Sequence, residues 1–363
     1  MTSSRSLRRR TAWSVPAVAA VAVAGAALLP TTASASPHPR LPERSAAQLL
    51  TAVQHSTVEH LSGTIVETAR LGLPSLPGAD GAAALSWQTL VSGTHTARIW
   101  VDGPERQRLA LLGQLSESDV VHDGTDLWTY ASSTQAVGHT ALPTARTQPP
   151  ETNAPTPKDA AARALAALDP STVVTVDRTA RVAGQPAYTL VLSPRDSRST
   201  VRKVTIAVDA VHNFPLRVQV FGAAAAPAFE TAFTDISFAR PASTVFHFQA
   251  PKGSTTTEHT APALQTPARS HPAARPERSG GSPQVVGTGW ASVLVLPAAS
   301  PGSTSGSGAG STGLLDRLTT TLPNGDRLVR SALLNVLLAK DGRVLVGAVS
   351  SKVLQQAAAG QLS

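Results

Sequence analysis

His122 and His139 flank one turn signal, and Glu117, Asp119, Asp123 and Asp126 crowd the chain around it. Imidazoles and carboxylates in such a group could hold a metal ion or pass protons. A solvated turn explains the acids more simply, because Asp is favoured in turns for the bonds it makes to its own backbone. His55 and His60 are five apart, off the i, i+4 spacing that sets two ligands on one helix face. Neither histidine pair reads as a metal site. No GxSxG elbow and no GxxxxGK[ST] loop occurs. Gly308-Ala309-Gly310-Ser311-Thr312-Gly313 matches GxGxxG by letter, but a Gly/Ser tract precedes it where a dinucleotide site needs a strand. There is no cysteine, which excludes disulfides, thiolate chemistry and a lipid-modified Cys. The residues name no nucleophile, metal or cofactor. A hydrolase is the least supported reading, and a non-enzymatic protein is expected.

The apolar residues are more informative. In His122–Ser133, HDGTDLWTYASS, Asp123-Gly124 marks a tight turn into a strand. Trp128 and Tyr130 lie two apart and so share one face of that strand. They are expected to contact one common space, either a ligand cavity or a helix-covered core. Trp87, Ile99, Trp100, Leu109, Leu111, Trp128 and Tyr130 concentrate in the first run of strands, and Ile206 and Val218 lie in the second. The candidate ligand-binding wall is Trp87, Trp100, Leu109, Leu111, Trp128, Tyr130, Ile206 and Val218.

These residues must be positioned by short strands and few helices. Residues 41–60 read as a helix with Leu49, Leu50, Val53 and His55 near one face. Residues 157–168 read as a second helix opened by Pro157. Between and after them come about ten strands of period two, such as Tyr188/Leu190/Leu192, Val204/Ile206/Val208 and Leu216/Val218/Val220. That is an α+β pattern with far more strand than two short helices can cover. Such a sheet must curl, close into a barrel or line a cavity.

The ends of the chain read differently. Arg5, Arg8, Arg9 and Arg10 precede an apolar run, and Ala33-Ser34-Ala35 follows it. Residues 1–35 therefore read as an export signal, or as a membrane anchor if it is not cleaved. Those arginines account for half of the net charge of +8, and the rest is scattered without a basic, aromatic-laced stripe, which argues against nucleic acid. Residues 36–251 form the expected main domain. Residues 252–284, rich in Pro, Ser and Thr, read as a disordered linker. Residues 285–363 read as a small C-terminal α/β module with a Gly/Ser-rich insert, strands in SALLNVLLA and RVLVGAV joined at Asp341-Gly342, short helices in LLDRLTT and KVLQQAA, and a face able to dock on the main domain.

Two motifs carry a family resemblance. Asp123-Gly124 with Leu127-Trp128 and Tyr130 is one; Val208-Asp209 followed by Phe214-Pro215-Leu216-Arg217 is the other. With the order of elements over residues 41–250, the chain resembles the LolA/LppX/RseB-like superfamily of exported lipoprotein- and lipid-binding proteins, in its actinobacterial LolA-like branch. The resemblance implies a strongly curved antiparallel sheet, an incomplete β-barrel, with helices covering its open side. It implies an exported carrier or chaperone that holds lipid or lipoprotein acyl chains in an apolar cavity without covalent chemistry. Its RseB-like branch implies an alternative, an envelope regulator whose partner is a membrane anti-sigma factor.

Overall fold

A computed structural model of the chain describes residues 39–73, 93–113, 116–142, 156–166, 168–260, 283–298 and 318–361. The expected export signal, Trp87, the Gly308–Gly313 motif and most of the expected linker lie outside them.

The first helix, α1, is Ala46–Gln54, shorter than the pattern predicts. Ser45 fixes its start with a capping box: its Oγ accepts from the Gln48 amide at 3.2 Å, and Gln48 Oε1 accepts from the Ser45 amide at 2.8 Å. Six strands are described after it: β1 (His60–Ala69), β2 (Gly93–Asp102), β3 (Arg106–Leu112), β4 (Glu117–Asp123), β5 (Asp126–Ala131) and β6 (Ala136–Ala141). The β4–β5 turn is Gly124-Thr125, and Gly124 at φ +63° supplies the left-handed backbone the turn requires. Helix α2 (Pro157–Ala166) begins with Pro157, and Thr156 Oγ1 accepts from the Asp159 amide at 3.1 Å. Then come β7 (Thr172–Val182), β8 (Gln185–Pro194), β9 (Lys203–Asp209), β10 (Pro215–Phe221) and β11 (Phe229–Ser237).

These strands and β12 (Thr255–Thr260) form one twelve-stranded curved sheet, ordered β12-β6-β5-β4-β3-β2-β1-β11-β10-β9-β8-β7. Its two ends do not pair, so it is not a closed barrel. All pairings are antiparallel except β12 on β6, which is parallel. The strand β12 corrects the expectation of a disordered linker over its residues. Polar composition hides it, but Thr255-Thr256-Thr257 is β-branched, and β6 offers an open edge whose main-chain groups need partners.

After β11 the chain crosses one face of the sheet as a strap. Its 3-10 turn, Ser243–Phe246, packs on β3 and β4 and buries Phe246 completely. The small C-terminal module is a second sheet, ordered β13 (Gln284–Val286), β14 (Val293–Leu296), β18 (Val344–Gly347), β17 (Asn335–Leu338), β16 (Arg327–Arg330) and β15 (Thr320–Thr321), with α3 (Ser351–Ala358). The strands around Asp341-Gly342 and the final helix agree with the sequence pattern; in LLDRLTT, Thr320 belongs to β15 and most of the rest lies outside the described residues. Val293, Leu328, Leu337 and Leu345 pack with Val353, Leu354 and Ala357 of α3. The module docks on the large sheet. Thr200 N donates to Ala348 O at 2.8 Å, Ala332 N to Leu71 O at 2.8 Å, and Trp290 Nε1 to Thr172 Oγ1 at 2.8 Å. Leu333 enters the main core beside Val204 and Val218.

Candidate functional site

Residues directly opposite in antiparallel strands share a face. One lateral row therefore runs Leu190, Ile206, Val218, Thr231, Glu67, His95 across β8, β9, β10, β11, β1 and β2. At its left end, Leu190, Ile206 and Val218 form the main core with Leu49 of α1 and Ala161 of α2. The helices pack against β7, β10 and β11. On the same face, Ile65 stands opposite Ala97 and Ala97 opposite Leu111, while Ile99 stands opposite Leu109. Ala97, Leu109 and Leu111 form a hydrophobic cluster of their own, with Ile99 against it. The face thus carries a helix-covered core, a smaller buried cluster at Ala97, Leu109 and Leu111, and between them Ile65 and Phe233 of a third cluster that Ile99 also touches.

The other face holds the aromatics. Trp100, Arg108, Val121, Trp128 and His139 form one row across β2 to β6. Arg108 lies over the Trp100 ring at 5.5 Å, pairs with Asp119 at 3.0 Å and donates to Val245 O of the strap. Trp128 stacks on His139 at 3.9 Å and on Phe248 at 5.3 Å, and Tyr130 meets the same Phe248 at 6.3 Å. Trp128 and Tyr130 do share one space, and the chain's own strap fills it. The described candidates accordingly divide. Leu109, Leu111, Ile206 and Val218 lie on the helix-covered face; Trp100, Trp128 and Tyr130 lie on the opposite one. They do not line a single cavity.

The acids near the turn are also divided among partners. Asp119 is buried against Arg108, Asp126 meets His139 Nε2 at 2.7 Å, and Asp123 lies 3.8 Å from His247. The solvated-turn expectation fails for Asp119, because its strand position turns it under the strap. His122 and His139 hold adjacent register positions, so they face opposite sides and do not approach. Among the described residues no group of three His, Asp or Glu is arranged to hold a metal ion. His139 Nδ1 also meets Glu258 of β12 at 2.7 Å. Desolvation works to lower the pKa of His139, but the hydrogen bonds to Asp126 and Glu258 hold it above the ordinary value.

Glu67 is the group missed by reasoning from motifs. It lies on the helix-covered face beside Ile65, is 4% exposed, and its Oε1 is fully buried with no hydrogen-bond partner among the described residues. Asp102, equally buried, has His60, Arg106 and Arg240 within ion-pair distance. Burial pushes the Glu67 carboxyl up to about 8. The signal was present in the sequence: in HLSGTIVETA, period-two alternation puts Glu67 on the side of Leu61 and Ile65.

A second surface lies on the C-terminal module. Opposite its α3-covered face, Val285, Leu294, Val346, Val336 and Val329 form a row across five strands, followed by Leu296, Val344 and Leu338. None of the eight is buried, and Val285 is 68% exposed.

No family model and no curated protein matches the sequence. Solved structures do. MucB in the MucA/MucB complex of Pseudomonas aeruginosa is 16% identical, over 86% of this chain and 96% of that one, with a TM-score of 0.42. A LolA superfamily protein from Nitrosomonas europaea is 11% identical, over 57% of this chain and 99% of that one, with a TM-score of 0.22. Among the described residues no helix is long and apolar enough to cross a membrane.

Proposed function

We propose that this chain is an exported, non-enzymatic binding protein that holds an acyl chain of a lipid or lipoprotein, as a carrier or chaperone in the cell envelope. The carrying observation is the cluster of Ala97, Leu109 and Leu111 with Ile99, which shares a face with the helix-covered core yet clusters apart from it; Ala97, Leu109 and Leu111 are buried in this structure, so an acyl chain must displace what covers them. An acyl chain gains about 0.8 kcal/mol per buried CH₂, so such a patch needs no elaborate polar motif to hold one. Residues 1–35 serve as the export signal in this reading, and the actinobacterial branch stays with it as its proposed setting. Native mass spectrometry of protein purified from its own host tests it. Acyl-chain masses released on denaturation are expected; their absence, with no uptake of added lipid, contradicts the reading.

The partly exposed apolar face of the C-terminal module favours a second, RseB-like role, in which a segment of an envelope membrane protein such as an anti-sigma factor docks there. Five strands at about 4.8 Å and four residues at about 3.3 Å give a face of about 300 Å². That is less than half of the roughly 800 Å² per partner of a standard interface, which suits one peptide segment better than a second copy. Leu294→Lys should abolish capture of that segment while leaving acyl binding intact; unchanged capture contradicts this role.

A further inference from the structure

We infer that Glu67 is the polar anchor of the acyl site, its carboxyl hydrogen bonding the ester or amide carbonyl that links the chain to its headgroup or protein. The inference rests on the acyl-binding reading and adds the group recognised. Its basis is geometric. Glu67 stands directly opposite His95 on one side and Thr231 on the other, one step along β1 from Ile65. Ile65 pairs with Ala97, which pairs with Leu111, so the carboxyl borders the apolar patch. A buried polar group without a partner costs free energy comparable to a lost hydrogen bond, and more when it is charged. The Oε1 atom is in that condition, and no cation among the described residues offsets it; Asp102 also has a buried oxygen without a hydrogen bond, but it and Asp119 have arginines within ion-pair distance. A ligand carbonyl above the patch would supply the missing partner.

The proton needed for donation is available. With its pKa pushed up to about 8 by burial, Glu67 holds its proton at neutral pH, and its O–H can donate to a carbonyl oxygen. His95 on β2 and the buried His122 on β4 are titratable groups on the same face; Thr231 is the uncharged neighbour of Glu67 on β11, and Glu230 turns to the other side. Helix α2, packed on β10 and β11, carries Lys158, Asp159 and Arg163, all exposed. None of the three is a partner of the buried carboxyl. Binding of a carbonyl-bearing chain should therefore weaken as pH rises through 8.

The test compares two probes on the full-length protein: methyl 12-(1-pyrenyl)dodecanoate, which has an ester carbonyl, and 1-dodecylpyrene, which has none. Fluorescence titration is made with wild type, Glu67→Gln and Glu67→Leu, and thermal unfolding is followed in parallel. The expected result is that Glu67→Leu binds the ester about tenfold more weakly and the hydrocarbon unchanged, while Glu67→Gln, which keeps a donor, stays within about threefold of wild type. Glu67→Leu should also melt higher, because it removes an unpartnered polar atom. Equal affinities of Glu67→Leu and wild type for the ester, or an equal loss for both probes, would overturn the anchor while leaving acyl binding standing. Failure of wild type to bind either probe would overturn the acyl reading and the anchor with it.

Discussion

The ring of Phe233 lies across Gly63 on the neighbouring strand: a Cβ at Gly63 would fall 2.9 Å from Phe233 Cδ1 and 2.5 Å from the Asp235 carbonyl oxygen. The two residues meet where the β1–β11 pairing shifts register between Thr64 and Ile65. Ile65 and Phe233 are both buried there, between the helix-covered core and the apolar patch. A methyl group at position 63 must displace backbone. Gly63→Ala should therefore destabilise by about 1–3 kcal/mol in urea unfolding. A loss below 0.5 kcal/mol, expected for a tolerant surface site, would show that the ring moves freely.

The strap is predicted to carry stability and no binding. Phe246→Ala, at a completely buried position, should cost about 3–5 kcal/mol. Because Phe246 covers β3 and β4 on the side away from Leu109 and Leu111, the folded variant should bind an acyl probe as wild type does. Loss of binding at full folding would mean that the strap face takes the ligand.

The β6–β12 edge should respond to pH through His139. Its folded pKa is raised above the ordinary value, so its contribution to stability is fully present below about pH 6.5 and is lost as pH rises through the folded value. Glu258→Gln removes one of the two carboxylates that hold the imidazolium. Amide exchange of Thr255–Thr260 should quicken in wild type as pH rises above about 6.5, beyond the intrinsic rate change, and this extra pH dependence should shrink in the variant. Identical profiles would remove His139 from the edge.

Glu67 gives a second pH dependence. An acid whose pKa rises on folding binds more protons folded than unfolded, so stability falls as pH climbs from about 4.5 to about 8. In Glu67→Gln this fall should be missing from the stability profile. A profile parallel to that of wild type would place the carboxyl in water.

The two motifs and the period-two runs made the architecture legible: Asp123-Gly124 marks a turn that falls one residue on at Gly124-Thr125, Leu190, Ile206 and Val218 face the helices, and Asp341-Gly342 joins two strands of a small module. What the sequence hid was set by contacts distant along the chain. Trp128 and Tyr130 share a face by local geometry alone, but only the path of residues 243–248 decides that this face is the strap side. Thr255–Thr260 looks like linker by composition and becomes a strand because β6 needs a partner. Glu67 was readable from alternation but overlooked, since an acid in a strand signals nothing until its face is known to be apolar.

Photolabelling locates the ligand most directly. The full-length protein is loaded with an ester-linked acyl chain bearing a terminal diazirine, irradiated and mapped by peptide mass spectrometry. The account predicts label on residues 93–112, at Ala97, Ile99, Leu109 or Leu111. Label confined to the Trp100, Trp128 and Phe248 face or to residues 284–363, or no label at saturating probe, would contradict it.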